Sequence, residues 1–174
     1  MRDTSRKFPL HPDSPFARLE PADRAAWFSY MRLQLRLRYE LNRQLQTDSG
    51  VSLADFDVLV ALTSDPDTVL GVSELAARIG WERSRLSHHL KRMADRGLVT
   101  LAARSSDRRV REVRLAPGGA QVLHEATPAH IDLVRSMFLS ALDPEERSSL
   151  TTLLDRVYES VVAQGTLPTP VDHP

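Results

Sequence analysis

The chain has 174 residues and 19.6 kDa, and its 23 Lys or Arg balance 23 Asp or Glu, so its total charge gives no reason to expect a polyanion as partner. Hydrophobic residues at 41% and charged residues at 26% exclude wholesale disorder. Cysteine is absent, which excludes disulfides, thiol nucleophiles, thiolate metal sites and thiol-based redox sensing together.

No stretch approaches the roughly 20 apolar residues of a membrane helix, so a cytoplasmic protein with no membrane partner is expected. Pro9, Pro12, Pro15 and Pro21 interrupt the first residues, and Pro168, Pro170 and Pro174 follow Gly165, so 1–20 and 164–174 read as flexible tails. From Ala22 to about Gln46 two apolar stripes coexist, Trp27, Met31 and Leu35 on one side and Tyr30, Leu33, Leu37, Leu41 and Leu45 on the other. A helix apolar on two faces contacts two surfaces.

Ser52-Leu-Ala-Asp55 is a capping box opening a helix to Thr63, with Phe56, Leu59, Val60 and Leu62 inward. Asp65-Pro66-Asp67 makes a turn. Ser73 is expected to cap a short helix with Leu75 and Ile79 inward, ended by Gly80. A longer helix runs from about Glu82 to Arg96, with Leu86, Leu90 and Met93 at core spacing and Gly97 as its stop. Leu98 to Leu101 and Val110 to Leu115 read as two strands, joined through the polar run 104–109 as a hairpin. Helices are expected again from Gly119 to about Leu142 and, after the Asp143 cap and Pro144, to about Ala163.

Two short helices, the second with a basic outer face, followed by a basic hairpin, are the layout of a winged helix-turn-helix. The helix from Glu82 to Arg96, roughly 22 Å long at 1.5 Å per residue, can lie across a DNA major groove. Arg85 can pair bidentately with guanine, Ser84 and His88 can donate or accept, and Lys91 and Arg92 stand where phosphates would run. The charge map agrees. Residues 71–115 hold 11 Lys or Arg against 5 acids, a net +6, so the flanks must sum to −6, and after residue 115 there are 3 Arg against 8 acids. That asymmetry is the footprint of a nucleic-acid reader.

Val72-Ser73-Glu74-Leu75-Ala76, Ser84-Arg85-Leu86-Ser87-His88-His89-Leu90, Gly97-Leu98-Val99, Asp107-Arg108-Arg109, Leu115 to Gly119 and Leu142 to Arg147 fall in register, and over roughly residues 25 to 163 the chain resembles the MarR family of transcriptional regulators. The resemblance implies a mostly α fold with a small antiparallel β wing. It implies a homodimer built from an N-terminal helix at 21–50 and C-terminal helices at 117–163, with a winged helix-turn-helix DNA-binding domain at 51–116. By that resemblance the DNA-binding set is Ser84, Arg85, Ser87, His88, Lys91, Arg92, Arg104, Asp107, Arg108 and Arg109. Asp107 is expected to hold an Arg that enters the minor groove, Arg109, and Arg108 to contact phosphate. Thr100-Leu101 stands where relatives often carry Arg, a contact that Arg104 can take over. Ala116 deprives the next helix of an N-cap side chain worth about 1 kcal/mol.

Other clusters have plainer readings. His88 and His89 point about 100° apart on a helix and make poor joint metal ligands; His89 is expected to be a partly packed neighbour. His124, Glu125 and His130 lack chelate spacing and suit a surface or dimer interface. Trp27, Tyr30 and Met31 either line a ligand pocket, as the corresponding helix does in relatives, or serve plain dimer or core packing. Trp81 is a packing residue, and Asp55 belongs to its cap. No catalytic residue, metal site or cofactor is expected. The function that follows is a transcriptional regulator, a repressor by default, that binds a palindromic operator as a homodimer and is released by a small aromatic or amphipathic effector. The alternatives are a winged-helix protein-interaction module without DNA binding and, further off, an enzyme.

Overall fold

A computed structural model describes residues 10–104, 107 and 109–170, which form two units, one up to Glu40 and one from Leu41 onward. The first contains a 3-10 turn at Pro15–Arg18 and most of helix α1, Pro21–Ser49, which continues into the second unit. Phe16 and Phe28 meet edge to face at 5.3 Å, whereas Trp27, Tyr30, Leu33, Leu35 and Tyr39 stay exposed. Of the two stripes expected on this helix, only its end joins the core of the second unit: Leu45 is fully buried and Leu41 packs against the same cluster.

The second unit is a winged helix-turn-helix followed by two helices. Helix α2, Leu53–Thr63, begins at the Ser52 capping box, with both reciprocal hydrogen bonds formed. Next come strand β1, Val69–Gly71, helix α3, Val72–Arg78, and helix α4, Arg83–Asp95. Strands β2, Val99–Ala103, and β3, Arg111–Leu115, complete the wing. The sheet is antiparallel with order β1-β3-β2, and Val113 of the central strand faces Leu70 on one side and Leu101 on the other. β1 is an addition to the expected two-stranded hairpin. Gly71, not Ser73, occupies the N-cap of α3, because β1 runs straight into that helix and leaves Ser73 inside its first turn.

Leu59 and Leu62 of α2, Leu75 of α3, Leu86, Leu90 and Met93 of α4, and Val113 of β3 are all fully buried in one cluster. Three helices and a sheet share that core, so the orientation of α4 is set from several sides at once. Gly80 and Gly97 have φ of 68° and 72°, the left-handed conformation that stops a helix at little cost to glycine.

Helix α5, Pro117–Met137, starts two residues earlier and stops five earlier than the expected 119–142, and a 3-10 turn at Leu139–Ala141 follows. Its N-cap Ala116 makes no side-chain cap bond. Gly119 has a packing reason: a Cβ there would collide with the Leu98 carbonyl and press on Leu59 and Leu115 at 3.0 Å, so the start of α5 lies against the link between α4 and β2 only because the side chain is missing. Helix α6, Pro144–Gln164, opens on a complete Asp143–Glu146 capping box. None of its residues is buried, and Leu153, Leu154, Val157, Tyr158 and Val161 are 41–62% exposed. Among the described residues no helix is long and apolar enough to cross a membrane.

Candidate nucleic-acid interface

Burying Leu86, Leu90 and Met93 turns the opposite face of α4 outward, and Ser84, Arg85, Ser87, His88, Lys91 and Arg92 are all exposed on it. The six helix residues expected to read DNA therefore share one surface. Arg85 stacks its guanidinium 4.1 Å from the centre of the Trp81 ring, a cation–π contact at the start of the helix. Trp81 is thus a platform as well as a packing residue. Ser87 donates its hydroxyl to the Arg83 carbonyl at 2.8 Å, and Arg92 lies 3.1 Å from Nδ1 of His89.

In the wing, Arg104 donates to Glu112 at 2.7 Å, and Arg114 reaches the same carboxylate at 3.2 Å. The Arg104 hydrogen bond holds the Glu112 carboxyl below its ordinary value, against the opposing effect of burial. Asp107 takes a backbone role: its carboxylate accepts the Arg109 amide at 3.0 Å and its carbonyl accepts the Val110 amide at 3.0 Å, which closes the turn into β3. The side chain of Arg109 is exposed. Arg108 lies outside the described residues.

Between the wing and the start of α3 is a cleft of about 290 Å³ lined by Ser73, Glu74, Arg83, Arg104, Arg109 and Arg111. It brings together wing and helix cations that lie more than twenty residues apart in sequence. Arg83 and Arg111 were not singled out from the sequence. The alternation around Val113 was the available signal for Arg111, and the position of Arg83, directly after the cap, was the signal for that residue.

The net charge of 71–115 also divides by role. Arg78 is buried, donating to the Ala61 carbonyl at 3.3 Å and pairing with Glu74 at 3.7 Å. Arg96 donates to Asp55 at 2.9 Å and to the Gly50 carbonyl at 2.9 Å. Arg96, Arg104 and Arg114 thus have part of their charge met by carboxylates of the fold, while Arg83, Arg85, Lys91, Arg92, Arg109 and Arg111 are exposed with no carboxylate partner in a salt bridge among the described residues.

Asp55 does more than cap α2. It is 3% exposed, and besides the Ser52 amide it faces Nε2 of His89 at 3.0 Å and Nη1 of Arg96 at 2.9 Å. Burial pushes its carboxyl up, but the hydrogen bonds of His89, Ser52 and Arg96 outweigh that and leave it well below the usual carboxylate range. His89 is 8% exposed and meets Trp81 edge on at 5.2 Å, so it is a core residue, more deeply packed than expected.

Away from this face, Trp27 and Tyr30 are exposed rings 5.8 Å apart, and Met31 is half-buried beside Gln34. His130 packs 4.5 Å from the Phe56 ring and 3.3 Å from Gln44, and burial pushes its imidazole pKa down. His124 lines an apolar cavity of about 400 Å³ with Leu115, Leu123 and Thr127. Among the described residues no group of three His, Asp or Glu is placed to hold a metal.

A MarR family model matches residues 49–110. Among solved structures, Sco3205, a MarR family transcriptional regulator from Streptomyces coelicolor determined in complex with DNA, is 33% identical over 87% of this chain and 95% of that one, with a TM-score of 0.80. AbsC, a MarR family transcriptional regulator from the same organism, is 29% identical over 84% of this chain and 98% of that one, with a TM-score of 0.79. The organohalide-sensing regulator RdhR-CbdbA1625 in its 2,4-dichlorophenol-bound form has a TM-score of 0.77 at 17% identity, over 95% of this chain and 98% of that one, a likeness of fold. The winged module, its exposed basic helix and its arginine-lined wing cleft thus sit in a chain whose similarity to Sco3205 extends over nearly the full length of both: the protein belongs to the MarR family of transcriptional regulators.

Proposed function

We propose that this regulator binds double-stranded DNA as a homodimer, reading a palindromic operator with α4 and gripping the backbone with the wing. The observation that carries the reading is the continuity of exposed cations from α4 to the wing cleft: Arg85, Lys91 and Arg92 on α4, Arg83 at its start in the cleft, then Arg109 and Arg111 of the wing. Helix α4, roughly 20 Å long at 1.5 Å per residue, fits a groove about 12 Å wide. Arg85 would read guanine, with Ser84, Ser87 and His88 on neighbouring base edges. Lys91, Arg92 and Arg108 would meet phosphate, as would the exposed part of the Arg104 guanidinium beyond its Glu112 contact, and Arg109, set by the Asp107 turn, would enter the minor groove. Sco3205, the relative determined with DNA, supports the partner.

Helices α1, α5 and α6 would form the dimer, because the exposed apolar side chains of α1 and α6 have the composition of an interface core. The default action is repression, by occupancy of the operator. Release would follow from a small aromatic or amphipathic effector at the face of Trp27, Tyr30 and Met31 that favours a dimer with α4 wrongly spaced. The dichlorophenol-bound relative is the precedent for an effector of that size. A protein-interaction role without DNA would not need the exposed cations of the wing cleft.

Selection from a random duplex library tests the reading. Enrichment of an inverted repeat with half-site centres about 10 base pairs apart is expected, and no enrichment would overturn it. On the selected duplex, Arg85→Ala should erode preference at one position, whereas Lys91→Ala should weaken all sequences about equally. Titration of a panel of phenols against the complex tests the effector, which is rejected if affinity never changes.

A further inference from the structure

His89 sits at the junction between the core and the exposed basic face of α4. On one side its Nε2 faces the Asp55 carboxylate at 3.0 Å, a short but poorly aligned approach that leaves the ring nitrogen without a straight hydrogen bond. On the other side its Nδ1 lies 3.1 Å from Nη2 of Arg92. A guanidinium can only donate, so Nδ1 must present its lone pair, and the ring proton then belongs on Nε2, toward Asp55. The chain of contacts runs Arg92 to His89 to Asp55, and Asp55 is held in turn by Arg96 and the Ser52 amide.

This arrangement responds to a proton in one direction. A proton added at Nδ1 removes the lone pair that Arg92 uses and places two cations face to face, so the Arg92 contact is lost. The same proton strengthens the contact with Asp55, which becomes an ion pair. The hold of α2 on α4 therefore survives while Arg92 is let go. The charged groups around the ring among the described residues are Asp55 from α2, Arg92 from α4 and Arg96 at the C-cap of α4; Trp81 covers its edge, with Arg85 over the indole. An open cleft of about 510 Å³, lined also by Gln46, Gly50 and Ser52, adjoins the pair, so the guanidinium can leave without displacing packed side chains.

We propose that His89 is a positioning residue for DNA contact: neutral, it tethers Arg92 through Nδ1, and protonated, it releases Arg92 to the phosphate backbone. The release to phosphate rests on the DNA-binding reading above, whereas the tether does not. The operator grip would then tighten when the His89 ring is protonated.

Two measurements test it. Nitrogen NMR of the free, full-length protein should find His89 in the Nε2–H tautomer at pH 8. On lowering the pH to 5.5 the Arg92 guanidinium signal should move with the same midpoint as the His89 ring while that of Arg85 does not. An Nδ1–H tautomer, or an Arg92 signal indifferent to His89, would overturn the tether whether or not DNA binds. The second measurement is affinity for the selected duplex at fixed salt, pH 8 against pH 6, for the wild type and His89→Gln. The glutamine amide can still face Asp55 but offers Arg92 no lone pair at the Nδ1 position. His89→Gln should bind roughly tenfold tighter than the wild type at pH 8, the factor expected of one freed charge-assisted contact, with a flatter pH dependence. A merely structural histidine would give weaker binding on substitution, and equal pH slopes in the two proteins would overturn the release. Failure of every duplex to bind at any pH would reject the DNA reading and the release with it, leaving the NMR result to decide the tether.

Discussion

Helices α4 and α6 are written in the same code, apolar residues at spacings of three and four on an otherwise polar helix, yet they end in opposite environments. Leu86, Leu90 and Met93 of α4 are completely buried within the chain, whereas Leu153, Val157 and Val161 of α6 are 55%, 60% and 62% exposed. The difference lies in what surrounds them. α4 is enclosed by α2, α3 and the sheet, but α6 finds no such enclosure among the described residues. Hydrophobic periodicity specifies that a face will be covered and is silent about whether the cover belongs to the same molecule. In α4 it builds a platform for exposed cations, and in α6 the proposed homodimer would supply the cover from a second copy.

Substitutions on the two helices should separate these roles. Leu90→Ala removes a fully buried side chain and should cost about 2–5 kcal/mol in chemical denaturation, with loss of the winged module's cooperative unfolding. Val157→Glu should leave the secondary structure intact while shifting the protein to monomer. Because the change occurs once in each copy, it should weaken association by about 3 kcal/mol or more, read by sedimentation. A folded, fully dimeric Val157→Glu protein would erase the contrast between the helices.

Asp55→Asn gives a smaller effect within the platform. It leaves the Arg96 and His89 donors poorly matched and should cost about 1–3 kcal/mol. Because the folded carboxyl is depressed, its contribution is complete above the unfolded value near 3.8 and is lost as pH falls below it, so the Asn variant should lack that part of the acid destabilisation below about pH 4. Smallest is Ala116→Ser, which supplies the missing cap of α5 in a suitably extended backbone and should add about 0.5–1 kcal/mol.

The same contrast explains what was legible in the sequence. Both capping boxes, the glycine stops and the inward leucines were readable because each depends on residues within one or two turns. β1 was not, since three residues are too few for a period and the strand exists only through its pairing with β3, more than forty positions away. Asp55 was readable as a cap but not as the partner of His89 and Arg96, some 34 and 41 positions distant. The charge count located the basic module yet could not foresee that Arg78 is buried and that Arg96, Arg104 and Arg114 are paired with carboxylates, while Arg83 and Arg111 line the wing cleft. Gly119 is legible in the sequence only as a helix start, whereas its close approach to Leu98 is a property of two segments and not of one.

The neutral total charge hides a basic module whose exposed cations are the central claim, and salt dependence tests it most directly. Affinity for the selected duplex, measured from 50 to 200 mM salt at constant pH, should fall by roughly a thousandfold or more if about six phosphates are neutralised. A flat dependence over that range would contradict the account.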